Sequence, residues 1–198
     1  FYHPDLAFQF PVPSGWQVIN QPSQVAMVEP EQQAFLIFGF AQEESAQAAA
    51  GAFASQQGVS VVDRSGLTIA GGAATRVLVE GQAQQGQTVR LLAYFFEYDG
   101  NVYRFQGVTA AGNYETYRPA FSRAATGFAR LTDPDKLNVQ PSRVEISTAS
   151  RTASFGTFVD ESDLPEDMTL KDLAILNQLF SGDTVEAGRV LKLPVTSR

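Results

Sequence analysis

Cysteine is absent from the 198 residues of this chain, and histidine occurs once, as His3. Without cysteine there is no disulfide, no thiol catalysis and no cysteine-ligated zinc. One histidine cannot supply the two or three ligands of a zinc hydrolase, and at the start of the chain it is a poor Ser-His base. We therefore expect no catalytic residue and no metal site in this chain, and we interpret His3 as a surface or turn residue.

Basic residues are scarce as well. The chain has 14 Lys and Arg against 21 Asp and Glu, which gives a formal net charge of −7. Nucleic acids and anionic membranes bind basic surfaces, so neither is an expected partner. No run of 18 apolar residues occurs, which argues against membrane insertion by a helix. Because the chain begins with Phe1 and has no signal peptide, we expect it to be part of a longer protein.

Apolar residues are plentiful, at 44% of the chain with 15 Phe, and they predict a folded protein. Alternating patterns predict mostly strands in the first 130 residues, at 6–10, 16–19, 25–29, 34–40, 59–69, 73–81 and 87–98. Asp99-Gly100 between two apolar runs predicts a hairpin. Around it, Phe95 faces one side of its strand and Tyr94 and Phe96 face the other, so both faces should be covered.

Two helices are available to cover the sheet. The first is predicted over 43–57 with Gly58 at its C-cap, and the second over 113–129 with Asn113 at its N-cap. Since an interior proline disfavours helix, Pro119 predicts that the regular part of the second helix begins near residue 118. We expect one helix on each face, or one helix and one long loop.

A change in composition marks a boundary near residues 131–142. Lysine is absent before Lys136, and turn-forming residues fill 132–135 and 140–142. We predict a first domain at 1–132, a linker at 133–139 and a second domain at 140–198. The second domain is predicted as a βααβ unit, with strands at 143–147 and 189–193, the latter ended by Pro194, and helices at 154–159 and 170–179. Thr169 caps the last helix.

The second domain resembles a LysM module, which binds N-acetylglucosamine polymers. The resemblance rests on the runs TLKDLAILN at 169–177 and AGRVLKLP at 187–194. It implies that glycan contacts come from two loops, formed by Ser150, Arg151 and Thr152 and by Leu179, Phe180 and Ser181. Asn177 is interpreted as a helix C-cap, with a sugar contact as the alternative.

The first domain resembles the PsbP/Mog-type α/β/α sandwich. The resemblance rests on YHPDLAF at 2–8, PSGW at 13–16, NQP at 20–22 and GFARLT at 127–132. The expected fold class is therefore α+β: an antiparallel sheet with helices on its faces, followed by a small βααβ LysM-like domain. This order of modules resembles the C-terminal region of bacterial periplasmic zinc metallopeptidases, gluzincins related to the CAAX prenyl proteases.

That resemblance implies a non-catalytic accessory region that positions substrate, wall or partner. Zinc would belong only to an upstream HExxH domain missing from this chain, and that catalytic domain would be its partner in cis. Peptidoglycan or a protein substrate would be the further partner, in the periplasm or outside the cell. The alternative is a stand-alone peptidoglycan-binding protein acting through the tail, and a third possibility is a protein-interaction module.

Other residues carry a functional and a structural interpretation, and the structural one is favoured for each. Trp16 is a sugar platform or a half-buried anchor, and Gly71-Gly72 is a phosphate loop or a turn. The aromatic residues of 94–105 line a pocket or form core. A run of acidic residues has three interpretations: a calcium site, an acid/base pair at Asp163 and Asp167, or a solvated loop. The run consists of Asp160, Glu161, Asp163, Glu166 and Asp167.

Overall fold

The computed structural model describes residues 1–83, 86–139, 143–160, 164 and 168–195. The chain forms two compact units, Phe1–Leu137 and Asn138–Arg198. The division falls inside the segment 133–139, and that segment contains one helical turn, Pro134–Leu137. Among the residues described, no helix is long and apolar enough to cross a membrane.

A seven-stranded antiparallel sheet forms the centre of the first unit. In chain order the unit's strands are β1 (Tyr2–His3), β2 (Phe8–Gln9), β3 (Gln17–Gln21), β4 (Gln24–Val28), β5 (Ala34–Phe40), β6 (Val59–Ile69), β7 (Gly72–Gln82), β8 (Thr88–Tyr98), β9 (Asn101–Ala110) and β10 (Ala129–Arg130). The large sheet has the order β3-β4-β5-β9-β8-β7-β6, and β1, β2 and β10 form a small second sheet. The strand predicted over 6–10 is thus shortened to two residues.

The hairpin between β8 and β9 forms where the sequence predicts it. Asp99 and Gly100 both have positive φ angles, 49° and 77°, and they connect the paired residues Tyr98 and Asn101. Positive φ at both central positions is the geometry that matches the twist of the flanking strands. The turn therefore sets the register that brings the longest apolar strands of the sheet together.

One helix packs on each face of the sheet, as expected. The unit's helices are α1 (Ala46–Ala54), α2 (Tyr114–Thr126) and the turn α3 (Pro134–Leu137). On one face, Phe53 of α1 packs against Phe95, with ring centroids 5.6 Å apart. On the other face, Phe121 of α2 belongs to the cluster that contains Tyr94 and Phe96. The alternating apolar pattern of β8 is thereby buried on both sides.

The helix boundaries differ from the prediction. α1 is shorter than 43–57 and is capped by Ser55, not by Gly58. α2 starts at Tyr114 and contains Pro119, because this proline is on the exposed side, where water can solvate the unpaired carbonyl group, while Phe121 is buried. Asn113 precedes α2 without a side-chain cap, since its Nδ2 donates to Gln33 Oε1 at 3.0 Å.

The second unit contains two small two-stranded sheets and one α-helix among its described residues. Its elements are β11 (Arg143–Thr148), β12 (Ala153–Ser154), a 3₁₀ turn (Phe155–Phe158), α4 (Leu170–Leu176), β13 (Thr184–Val185) and β14 (Val190–Val195). The helix predicted over 154–159 is thus a 3₁₀ turn. The last helix ends at Leu176 rather than 179, and Pro194 lies inside β14, where it pairs with Val144.

Thr169 and Asp172 form a reciprocal cap at the start of α4. Thr169 Oγ1 accepts from the Asp172 N–H, and Asp172 Oδ2 accepts from the Thr169 N–H at 3.0 Å. The hydroxyl and the amide N–H of Thr169 hold the pKa of Asp172 below its usual value, because both donate to the charged carboxylate. The predicted N-cap at Thr169 is therefore confirmed, with a carboxylate partner.

Acidification is expected to release this cap. The pKa of Asp172 is lower in the folded chain than in the unfolded chain, where it is about 3.9. The stabilisation that the Asp172 carboxylate gives to the folded state is therefore complete above the unfolded pKa. It is lost as the pH falls through the folded pKa. The amide ¹⁵N shift of Thr169 should titrate with a midpoint below about 3.9, and Asp172→Asn should abolish that step. A midpoint at or above the unfolded value would contradict the cap.

Candidate functional site

The first predicted glycan loop lies against the turn that precedes β14. Ala149 accepts from the Gly188 N–H at 2.8 Å and donates to the Arg189 carbonyl at 2.9 Å. Thr152 Oγ1 accepts from the Ala187 N–H at 3.1 Å, so this hydroxyl is used within the fold. Ser150 and Arg151 are exposed and project from the loop.

The second predicted loop divides into a buried and an exposed part. Leu179 is only 8% exposed, and its side chain belongs to the core of the unit. Phe180 is 81% exposed, the highest value among the exposed large apolar side chains described. Ser181 is exposed beside it. The segment 179–183 is called the Phe180 loop below.

Two hydrogen bonds close the Phe180 loop. The Phe180 N–H donates to Asp183 Oδ2 at 2.9 Å, and the Asp183 N–H donates to the Phe180 carbonyl at 3.0 Å. The Asp183 carbonyl in turn accepts from the Phe155 N–H at 2.9 Å. Since Phe155 is fully buried, the loop is tied to the core and presents its aromatic ring from a defined backbone. Asp183 is not among the predicted site residues, although Gly182-Asp183 is a common turn pair.

The two predicted loops flank one short ladder. β12 pairs with β13 through Ala153–Val185 and Ser154–Thr184. In this antiparallel register, 150–152 continue from one end of the ladder, toward residues 186–188, whereas the Phe180 loop precedes β13 at the other end. The structure therefore places the six predicted residues around the same ladder and does not gather them into one cluster.

Asn177 is a structural link between α4 and β14. Its Oδ1 accepts from the Lys192 N–H at 2.7 Å, and its Nδ2 donates to the Lys192 carbonyl at 2.8 Å and the Leu173 carbonyl at 2.9 Å. These hydrogen bonds occupy the side-chain amide of Asn177 and favour its interpretation as a structural residue over a sugar contact. The left-handed residue after the helix is Gln178, with a φ of 57°, rather than Asn177.

His3 and Trp16, two further candidates that the structure describes, are in structural positions. His3 Nδ1 accepts from the Leu6 N–H at 3.3 Å in a turn. Trp16 is half-buried against Tyr117 and Phe121, with ring centroids 6.1 Å from each. Of the acidic run only Asp160 lies in the described part, and Glu161, Asp163, Glu166 and Asp167 lie outside it. Among the described residues, no three His, Cys, Asp or Glu side chains are placed to hold a metal ion.

Comparison with known proteins identifies the fold. The sequence matches no protein-family model and no curated protein. The structure is similar to cyanobacterial PsbP (CyanoP) from Synechocystis sp. PCC 6803, with a TM-score of 0.52 and 14% identity over 66% of this chain and 90% of that one. It is also similar to LpqN, involved in cell envelope biogenesis of Mycobacterium tuberculosis, with a TM-score of 0.46 and 16% identity over 63% and 83%. The likeness to CyanoP confirms the predicted PsbP-like fold, and at this identity it shows the fold alone.

Proposed function

We propose that this chain is a non-catalytic binding region of the bacterial cell envelope, in which the second unit binds peptidoglycan glycan through the Phe180 loop. The observation that carries the proposal is the exposure of Phe180, 81%, on a loop whose backbone is closed by hydrogen bonds to Asp183. An aromatic face can cover the C–H face of a sugar ring, and its fixed backbone lowers the entropy lost on binding. Ser181 and the exposed Ser150 and Arg151 would supply hydrogen bonds to sugar hydroxyl groups.

The wider context that we propose is a zinc metallopeptidase of the periplasm or the extracellular space. In this proposal the PsbP-like unit positions a catalytic domain, in cis, against its substrate, and the second unit holds the wall. The described residues of this chain do not fit a zinc site, since no suitable ligand cluster exists among them. Zinc would therefore be held by the catalytic domain. The alternative, a stand-alone peptidoglycan-binding protein, uses the same Phe180 loop.

The coding sequence upstream of Phe1 distinguishes these two contexts. An HExxH-bearing domain in the same reading frame would support the accessory role. A signal peptide that ends just before Phe1 would instead support the stand-alone binder. Neither result bears on the Phe180 loop, which is tested separately.

Phe180→Ala is expected to weaken binding of the full chain to purified peptidoglycan sacculi. Truncation of an aromatic anchor in an interface typically costs more than about 1 kcal/mol, so the dissociation constant should rise roughly 5- to 30-fold. Binding is measured by pelleting the chain with sacculi over a concentration series. Ile146→Ala is the matched control, because Ile146 is also exposed, at 65%, but lies on β11. No pelleting of the unaltered chain at low salt, or equal loss in both variants, would contradict the proposal.

A further inference from the structure

Half of one face of the large sheet has no described helix over it. On that face α1 packs on β7 and β8, and its core partners there include Val77, Ala93 and Phe95. Directly paired residues share a face, so the registers of β3, β4, β5 and β9 place six apolar residues on the uncovered half. These residues, called the open face below, are Ile19, Ala26, Val28, Phe35, Ile37 and Val108.

The open face is apolar and only partly buried. Ile19 is 40% exposed and Phe35 is 39% exposed, and the other four residues are half-buried. The rows of cross-strand pairs that form the open face also contain glutamines at its border, which are Gln17, Gln21, Gln24 and Gln106. A contiguous apolar surface with a polar rim is typical of a binding site.

Arg104 lies at the border between the open face and the half that α1 covers. It pairs across the sheet with Gly39 on β5 and with Phe95 on β8. Arg104 is the only residue among Asp, Glu, Lys and Arg in β3, β4, β5 and β9. The surface is thus apolar with one positive charge at its inner edge.

The guanidinium of Arg104 lacks an acceptor within the part of the chain that the structure describes. Its Nε is buried and has no hydrogen-bond partner there, and Arg104 takes no part in the ion pairs described. Glu97, on the same face of β8, accepts from the Ala46 N–H at the start of α1 at 3.1 Å. Because the buried Nε is closed to solvent, a carboxylate from outside would accept from the terminal N–H groups of Arg104, a residue that is partly exposed.

We propose that the open face binds a polypeptide segment of a partner in which one carboxylate lies among apolar side chains. The apolar side chains would pack on Ile19, Phe35 and Ile37, and the carboxylate would accept from Arg104. A second copy of this chain fits less well, because stacking two open faces would supply no carboxylate from β3, β4, β5 or β9. This proposal goes beyond glycan binding and does not depend on the Phe180 loop.

The test uses the full chain and defined peptides. A phage-displayed library of random 12-residue peptides is selected on the immobilised chain. Enriched sequences are then synthesised, and their dissociation constants are measured by fluorescence anisotropy. Enriched peptides are expected to share Asp or Glu flanked by apolar residues. Arg104→Gln should weaken their binding at least tenfold, and Phe35→Gln should weaken it as well.

Arg64→Gln is the matched control. Arg64 is exposed on β6 and pairs with Val77, so it lies on the same side of the sheet but beyond α1; its replacement should leave the dissociation constants within twofold. Changing the peptide carboxylate to an amide should weaken binding to the unaltered chain tenfold and have little further effect in Arg104→Gln. Unchanged far-UV circular dichroism and Trp16 fluorescence confirm that the variants fold.

Four outcomes would overturn the proposal. Selection could enrich no peptide or only peptides without acidic residues, or Arg104→Gln could leave the dissociation constants within twofold. Self-association in sedimentation experiments that Phe35→Gln abolishes would assign the open face to a second copy. Loss of sacculus binding in Phe180→Ala has no bearing on these results, so the two proposals fail independently.

Discussion

Replacement of Gly107 by alanine is expected to lower the free energy of unfolding of the first unit by about 2–3 kcal/mol. Gly107 lies on β9, and its paired neighbours Leu36 and Leu92 are buried. A Cβ at this position would lie 2.5 and 2.7 Å from the Cδ2 and Cδ1 atoms of Phe121. Because Phe121 is fully buried on α2, relief requires α2 to move away from the sheet.

Gly51→Ala adds the same methyl group without a clash. Gly51 lies in α1, and an added Cβ would have nothing within 4 Å there. Alanine should therefore raise the free energy of unfolding by about 0.5–1 kcal/mol, through its higher helix propensity. The two glycine variants thus have opposite expected signs, which separates overpacking from any general effect of replacing glycine.

Unfolding of the first unit can be followed by its own probe. Trp16 is the single tryptophan of the chain and packs against Phe121, so its fluorescence in a guanidinium titration reports this unit, with far-UV circular dichroism as a second probe. Phe121→Leu combined with Gly107→Ala should cost less than the sum of the single changes, since the smaller side chain makes room. A Gly107→Ala value within about 0.5 kcal/mol of the unaltered chain would contradict the close packing of α2.

The large sheet could be predicted because its signals are local. Alternation along β4 to β9 and the Asp99-Gly100 turn are properties of neighbouring residues, and the structure shifts most strand ends by only one or two positions. The order of the strands is a different matter. β5 pairs with β9 rather than with β6, because the crossover through α1 separates them, and no local pattern contains that information.

The candidate site could be predicted in part. The resemblance to LysM modules predicts the loop at 179–181, but which of its side chains point outward depends on the left-handed backbone at Gln178. That conformation turns Leu179 into the core and leaves Phe180 exposed. Arg104 could have been noticed as the one charge in four apolar strands. That its guanidinium lacks an acceptor becomes visible only when its cross-strand neighbours, Gly39 and Phe95, are known.

Phe128 shows how periodicity can find a core residue and misplace it. Apolar residues recur at helical spacing within the predicted helix 113–129, with Phe128 as the last of them, and this pattern predicts its burial. Phe128 is indeed only 2% exposed. However, α2 ends at Thr126, so Phe128 lies in the short connection between α2 and β10. Gly127 makes this connection possible, since a Cβ there would lie 2.6 Å from the Pro11 ring. The chain therefore brings Phe128 into the sheet core without the helix.

Phe128→Ala is expected to cause the larger loss of stability, about 3–5 kcal/mol from the first unit. The ring of Phe128 lies at the centre of an aromatic cluster, with centroids 4.7 Å from Phe96, 5.1 Å from Phe8 and 5.1 Å from Tyr98. Phe96 and Tyr98 lie near the end of β8 beside the hairpin, and Phe8 lies on β2. Removal of the ring leaves a cavity that these large, flat side chains cannot fill without leaving their own contacts.

Phe40→Ala is the control for this change. Phe40 is 42% exposed and lies 5.0 Å from the Tyr103 ring at the end of β5, so its truncation should cost less than half as much. Both values come from guanidinium titrations followed by Trp16 fluorescence, which reports the first unit without the second. The Phe128 ring packs against Phe8 of the small sheet and Phe96 of the large sheet. Phe128→Ala should therefore also raise the amide hydrogen exchange rates of Phe8 and Ala129. A loss below about 1 kcal/mol, or equal losses for the two variants, would show that the small sheet is held by other contacts.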